Sequence, residues 1–479
     1  MKSWKKFLSA AVVLAGIALF PVETRAQDQQ NDTPPKPAAK VLFPIGGGED
    51  QEPNQPIEAM QPDDHPLTGF QQLTIGTPPE RHSYWIPGIS YTNTIQSNGL
   101  AQGGGGGWSS TSYVVGNLSL SQNWRSSQLS LNYSGGGTLS SNSAVGNGQF
   151  EQFGAFQTFN GRRTQLTMLD QFSYLPASQF GFGAGTPLAV PGVGGPLAPT
   201  LPGLQNGFTP NQSIFAALGP RYSNSSGTQL NYALTPRNSL TFGGVFSILR
   251  FTKSGNVESN DVNLAAGYNL QVSRTDTLGL SYRFSAYHYL ATPQAIGDHL
   301  AQAVYGKKLT GRLALQLSGG PEVTNYRVPQ GPGTKTQYIA PSASANLTYA
   351  FQAAEVSLSY NHGVNNGGGV LLGATSDQIM GSGTRKLTRI WSGNASVGYA
   401  RNTNLGGATG TQTPAFNAIY VGAGLQRPLS RTTDFRLNYN ANIQTSNNAG
   451  CGAANCGASF TTHLITVGLN WRAQPFVLH

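Results

Sequence analysis

Proton transfer, nucleophilic attack and metal binding all need acids, histidines or cysteines close together, and from residue 82 onward this 479-residue chain carries only ten acids, widely scattered. Catalysis would leave paired carboxylates or a Ser/His/Asp set on neighbouring segments. None is visible. His288 and His463 both fall on the apolar side of alternating stretches, near their ends, which suits an interfacial place better than a catalytic one. The run "GGGGGWSS" lacks the Gly-Lys-Ser/Thr element that cradles phosphate and reads as a flexible loop. Cys451 and Cys456 are the only cysteines, in "NNAGCGAANCGASF". In an exported chain so close a pair is expected to form a small disulfide within one loop, because a metal site would need two more ligands and that loop holds no His or acid. The chemistry-bearing residues therefore suggest no enzyme, no cofactor and no metal.

Export itself is read from the N-terminus. Lys2, Lys5 and Lys6 precede the apolar run "FLSAAVVLAGIALF", and Thr24 and Ala26 suit a small-residue cleavage site, so residues 1–26 are expected to be a signal peptide. The apolar run is short for a bilayer span, which takes about 20 residues. Residues 27–82 are rich in Pro, Gln and acids, with no periodic apolar face, and read as a disordered tail. Residues 27–81 hold nine acids and three bases, whereas 82–479 hold ten acids and twenty-two bases. The formal +9 of the whole chain hides that contrast. Bases placed at turns rather than in an aromatic-laced groove argue against nucleic acid.

The remaining chain, 83–479, repeats. Eight short polar connectors recur: "QNWRSS", "FNGRRT", "TPRNS", "VSRTD", "GKKLTGR", "FQAAE", "TRKLTR" and "QRPLSR". Each is flanked by segments of period two. In "DFRLNYNANIQ", Phe435, Leu437, Tyr439, Ala441 and Ile443 share one face, and Arg436, Asn438, Asn440, Asn442 and Gln444 share the other. The same split runs through "QLSLNYSG", "TLGLSYRFSAYHY", "EVSLSYN" and "LITVGLNWR". Long Gly/Ser/Asn-rich loops alternate with the short connectors, among them "GGTLSSNSAVGNG", "GVNNGGG" and the longest, from about Pro176 to Pro220. With "YWIPGISYTNTIQ" and "VLLGATSDQIMGSG" counted as strands the total is about eighteen, and sixteen without those two. Asp170 sits on the apolar parity of "TQLTMLDQFSY", which suggests a bulge or register change near a rim.

Short turns at one end, long loops at the other and an even strand count resemble the outer-membrane β-barrel proteins of Gram-negative bacteria, the large porin-like ones most of all. The last strand, "HLITVGLNWR", looks like that family's assembly signal, although the chain continues through "AQPFVLH", so Trp471 and Phe476 both qualify as the terminal aromatic. The resemblance implies an all-β transmembrane antiparallel up-and-down barrel in the outer membrane, the tail in the periplasm, and outer-membrane lipid and the barrel-assembly machinery as partners. It leaves homo-oligomers open. The connector "QRPLSR" becomes a periplasmic-rim turn, where proline ends the ladder and arginine reaches anionic headgroups.

An 18-strand barrel is too wide for its own side chains to fill and leaves an aqueous lumen. Arg283, Arg436, Asn438, Asn440, Asn442 and Gln444 carry lumen parity, and fixed positive charge concentrates anions. The sequence thus points to a porin-like channel for small polar solutes with anion preference, unless those arginines pair with acids. Phe180, Phe182 and Phe208 mark the long apolar loop as a constriction. Two other classes fit the pattern: the exit barrel of a polymer or exopolysaccharide export system, and a structural or adhesive barrel without conductance.

Overall fold

Alternation is what the backbone obeys. The structure, a computed structural model, describes residues 83–97, 107–141, 147–175, 220–252, 256–290, 292–327, 336–367, 370–405, 415–447 and 459–478. The signal peptide, the tail, the pair Cys451 and Cys456, and the loop aromatics Phe180, Phe182 and Phe208 lie outside the described residues. The strands are β1 (Ser83–Ser97), β2 (Trp108–Asn123), β3 (Ser127–Ser140), β4 (Gly148–Asn160), β5 (Thr164–Leu175) and β6 (Arg221–Ala233). They continue as β7 (Asn238–Phe251), β8 (Ser259–Gln271), β9 (Asp276–Tyr289), β10 (Ala295–Lys308), β11 (Leu313–Tyr326) and β12 (Gln337–Ala350). The last are β13 (Ala354–Asn365), β14 (Ala374–Lys386), β15 (Ser392–Asn404), β16 (Ala415–Pro428), β17 (Thr433–Ser446), β18 (Phe460–Arg472) and the three-residue β19 (Phe476–Leu478).

Every strand from β1 to β18 pairs antiparallel with its sequence neighbours, and β1 pairs with β18, so the sheet closes as an 18-strand barrel. Closure leaves no edge, the condition for a sheet to stand in hydrocarbon. The outer wall is apolar: Leu280 is 65% exposed, with Leu278, Tyr282, Leu358, Val397, Val421 and Ile465 also exposed. Lipid covers such side chains for about 1.5–3 kcal/mol each. The inner wall carries Ser, Thr, Asn and Gln, and Thr94 meets Thr466 at 3.1 Å across the β1–β18 seam.

The eight short connectors all turn at one end. Five share an aliphatic–hydroxyl pair that the connector pattern alone did not flag: Leu234–Thr235, Val272–Ser273, Leu309–Thr310, Leu387–Thr388 and Leu429–Ser430. In each the hydroxyl accepts one or two turn N–H groups, as Thr310 does from Arg312 and Leu313 at 3.2 and 3.0 Å. Such bonds hold the turn without further strand. The aliphatic partner is exposed at the rim. In "QRPLSR" the ladder ends on the pair Pro428↔Asp434, and the Arg427 guanidinium lies over the Trp391 ring of the neighbouring turn at 5.6 Å.

Four local readings of the sequence change. Gly136–Ser140, assigned to a loop, continue β3. The stretch "VLLGATSDQIMGSG" is strand only from Ala374 onward. Residues 363–365, the start of the loop "GVNNGGG", still belong to β13. Asp170 needs no bulge: its register is regular, Ala155↔Asp170↔Ser226, and it lies mid-strand on the outer face, where Asn224 Nδ2 donates to it at 3.1 Å and the Ser226 hydroxyl also donates.

Both candidate terminal aromatics face outward. Between Gly88↔Arg472 and Trp85↔Phe476, two residues of β1 oppose three of the other chain, a bulge that flips parity. Trp471 and Phe476, five positions apart, therefore share the outer face, and Phe476 stacks on Trp85 at 4.8 Å. Two measurements follow. The unboiled protein in detergent should migrate faster on a gel than the boiled one, because a closed ladder resists detergent; equal mobility would contradict closure. Phe476→Ala should lower the temperature of that mobility change, since such aromatic pairs contribute about 0.5–1.5 kcal/mol.

Candidate functional site

The candidate site is the barrel interior. Arg283 projects inward from the middle of β9, between outward Tyr282 and Phe284, and is 16% exposed. Two acids meet it: Asp298 of β10 at 4.0 Å and Glu322 of β11 at 3.6 Å. Both acids are buried, and Thr324 donates to Asp298 at 2.9 Å. A third inward acid, Asp261 of β8, is also buried. The sequence reading had few inward acids at this depth; register supplies three, on strands adjacent to Arg283 or one further. Parity signals two of them, Asp261 in "SNDVN" and Glu322 in "PEVTN", each sharing its face with polar residues, whereas Asp298 in "IGDHL" shares its face with Ile296 and Leu300 and is placed only by register.

Eight strands away, Arg436, Asn438, Asn440, Asn442 and Gln444 occupy alternate positions of β17 opposite the outward Leu437, Tyr439 and Ile443. Asn442 and Gln444 are buried, while Asn438 and Asn440 are half-buried. Asp434 at the short-turn end of the same strand binds Arg472 at 2.9 Å. His288 and His463 face outward, His463 against the Tyr439 hydroxyl at 2.9 Å. They are wall residues.

One long connection is folded into the barrel. The β12–β13 ladder stops at Ala343↔His362 after eight pairs, whereas β13 stays paired with β14 through Asn365↔Ala374. The end of the β13–β14 hairpin thus leaves the wall and enters the lumen as a strap, described over residues 363–367 and 370–373. Val364 packs with Tyr287, Tyr289, Ile296, Tyr326 and Leu405. Val370 reaches Leu249 and Phe251 of β7, and Leu371 reaches Phe416 of β16. The strap therefore touches walls on both sides of the mouth.

Polar bonds fix it. Asn366 Nδ2 donates to Asp261 Oδ2 at 2.8 Å, the Tyr289 hydroxyl donates to the Asn366 carbonyl at 3.1 Å, and the Val364 N–H donates to Glu322 Oε1 at 3.2 Å. Gly367 and Gly373 have φ of 77° and 86°, the left-handed region that glycine alone enters freely. A Cβ at Gly373 would also lie 2.5 Å from Ile296 Cδ1. Inward side chains are buried at both ends of the wall, Thr94, Thr138, Gln152 and Gln444 near the long loops and Thr158, Thr167, Gln229, Thr241 and Thr277 near the short turns, whereas Gln316, Asn346, Ser357 and Asn438 are less covered. The strap narrows the lumen at its long-loop end.

No family model and no curated protein matches the chain. Solved structures that align with it include Acinetobacter baumannii OccAB1, at 10% identity over 81% of this chain and 97% of that one, with a TM-score of 0.42. Pseudomonas aeruginosa OccK2 (OpdF) in complex with glucuronate aligns at 9% identity over 83% and 99%, with a TM-score of 0.42. The outer membrane protein OpdK of Pseudomonas aeruginosa aligns at 10% over 81% and 99%, with a TM-score of 0.40. At such identities and scores the likeness lends no weight to any solute, and the barrel architecture stands on the chain's own ladder: eighteen antiparallel strands, apolar outside, polar inside, with a strap across one mouth.

Proposed function

We propose that the chain is an outer-membrane channel for passive passage of small polar solutes, with its short turns and N-terminal tail in the periplasm and its long loops outside. The observation that carries this is the polar inner wall, closed through eighteen strands and narrowed at one mouth by residues 363–367 and 370–373. A wall of amides and hydroxyls replaces part of a polar solute's hydration without trapping it. The strap sets the bore at the outer mouth, and the loop around Phe180, Phe182 and Phe208 is proposed to narrow it further.

The anion preference suggested by Arg283 and Arg436 is weakened by what surrounds Arg283. Asp298 and Glu322 offset its charge locally, so we propose weak ionic selectivity, with Arg436 and the buried Arg221 as further basic residues of the inner wall. Burial of the inward side chains near the long-loop end favours a second reading, a structural barrel that does not conduct.

Two experiments decide. Replacing residues 366–373 by a two-residue Asn-Gly turn should raise single-channel conductance in planar bilayers several-fold, because it removes the part of the strap that reaches β7 and β16 while the β13–β14 ladder up to Asn365↔Ala374 remains. Absence of conductance in both forms would establish the structural reading. Separately, Asp298→Asn with Glu322→Gln leaves Arg283 uncompensated and should shift the reversal potential in a salt gradient toward anions; no shift would mean that Arg283 does not face the ion path.

A further inference from the structure

The wall beside the strap is incomplete in a specific way. Residues 338–342 of β12 are paired with β11 on one side, through Thr324↔Tyr338 to Gly320↔Ser342, and lie beyond the β13 ladder on the other, where the Ser342 hydroxyl donates to the His362 carbonyl at 2.8 Å. Tyr338 and Ile339 are 48% and 67% exposed. Unpaired strand at a barrel wall is costly and adds any strand of matching register.

That matching strand is the strap's own root. The β12–β13 register Ala343↔His362 and Ala350↔Glu355, continued upward, sets Ser342 against Gly363, Pro341 against Val364, Ala340 against Asn365, Ile339 against Asn366 and Tyr338 against Gly367. Parity is preserved throughout: Gly363 and Asn365 face inward beside Ser342 and Ala340, and Val364 faces the lipid beside Pro341. No side chain has to cross the sheet.

Pro341 explains why this pairing is not made permanently. Pro321 and Pro341 oppose one another in the β11–β12 ladder, and since neither has an N–H this is a non-hydrogen-bonded pair whose backbone groups point outward to β10 and β13. On the β10 side the ladder skips Ala301 and Gln302, opposite Pro321 and Gly320. On the β13 side it stops at Ala343, two residues before Pro341. Zipping the strap root onto β12 would leave one of the two bonds at Pro341↔Val364 unmade, so the wall position is weakened at its first step, and the lumen position competes through Asp261, Glu322 and the tyrosine cluster.

We propose that the strap is a gate with two seats: the lumen seat described above closes the mouth, and a wall seat, zipped onto residues 338–342 of β12, opens it. This rests on the channel reading, and the test separates the two. In a Cys451→Ser, Cys456→Ser background, Ala340→Cys with Asn365→Cys are directly opposed in the wall seat at a non-hydrogen-bonded pair, the spacing a disulfide spans. Asp261→Cys with Asn366→Cys are opposed in the lumen seat. Under mild oxidant both pairs should cross-link, read by mass spectrometry. The wall-seat bond should raise conductance several-fold and the lumen-seat bond should lower it, both reversed by reductant. Pro341→Val restores the missing donor and should raise the open fraction without any cross-link. Gel mobility before boiling verifies that each variant is a closed barrel. A lumen-seat pair that cross-links while the wall-seat pair does not, or a wall-seat bond or Pro341→Val that leaves conductance unchanged, would overturn the gate. Should no form conduct, the strapless variant included, the channel reading fails, while the cross-link yields still report whether the strap has two seats.

Discussion

The constraint on which everything else depends is that every backbone N–H and C=O in the apolar slab must find a partner in the sheet. Among the described residues that condition dictates closure of β1 on β18, and closure makes the strand count even when both ends leave from the same rim. It also explains the seam. The last strand runs past its final full pair and would expose its end, so a bulge at Ala473–Pro475 re-aims the chain and lets β19 continue along β1, with the Ala473 N–H donating to Pro87 at 2.9 Å. Phe476 on Trp85 then covers the seam with the aromatic surface that a lipid interface favours.

Given closure, period two does the rest. Each strand presents one side chain to lipid and the next to the lumen, so a strand segment must be apolar at alternate positions and is free at the others. That freedom is where function is written. Along β17 it holds an amide ladder, along β9 an arginine, and along β8, β10 and β11 three acids. The exception on the outer face, Asp170 with Asn224 and Ser226, shows the rule by its cost: a carboxylate facing lipid is held by two donors from the adjacent strand.

Much of this was readable from residues alone. "DFRLNYNANIQ" declares its faces without any neighbour, and "QRPLSR" declares a turn, because strand parity and turn chemistry are local. What could not be read was anything set by register between strands. Arg283 is one arginine on a polar face until β9 is placed beside β10, and β10 beside β11, which brings Asp298 and Glu322 to it. The strap was hidden for a related reason. "NNGGGVLLGATS" has the glycines of a loop followed by apolar residues that look like the start of a strand, and only the apolar side chains inside the barrel, Leu249 and Phe251 against Val370, Phe416 beside Leu371 and the tyrosine cluster against Leu372, make Val370–Leu372 more stable as an inward turn than as wall.

The three inward acids then have an explanation that does not involve a solute. Asp261 accepts from the Asn366 side chain, Glu322 accepts from the Val364 backbone, and Asp298 sits between Arg283 and Thr324, which ties Glu322's guanidinium partner to the same wall. A strap leaving a sheet strips its own N–H groups of ladder partners, and buried N–H groups need acceptors. Carboxylates are the strongest acceptors a wall can offer, and charge-assisted bonds of this kind are about twice as strong as neutral ones. Arg283 is then required less by a passing anion than by the acids themselves, because carboxylates packed this closely in a narrow lumen repel one another unless a cation lies between them. The arginine that looked like a selectivity element in isolation is, in its register, the counter-charge of the strap's anchors.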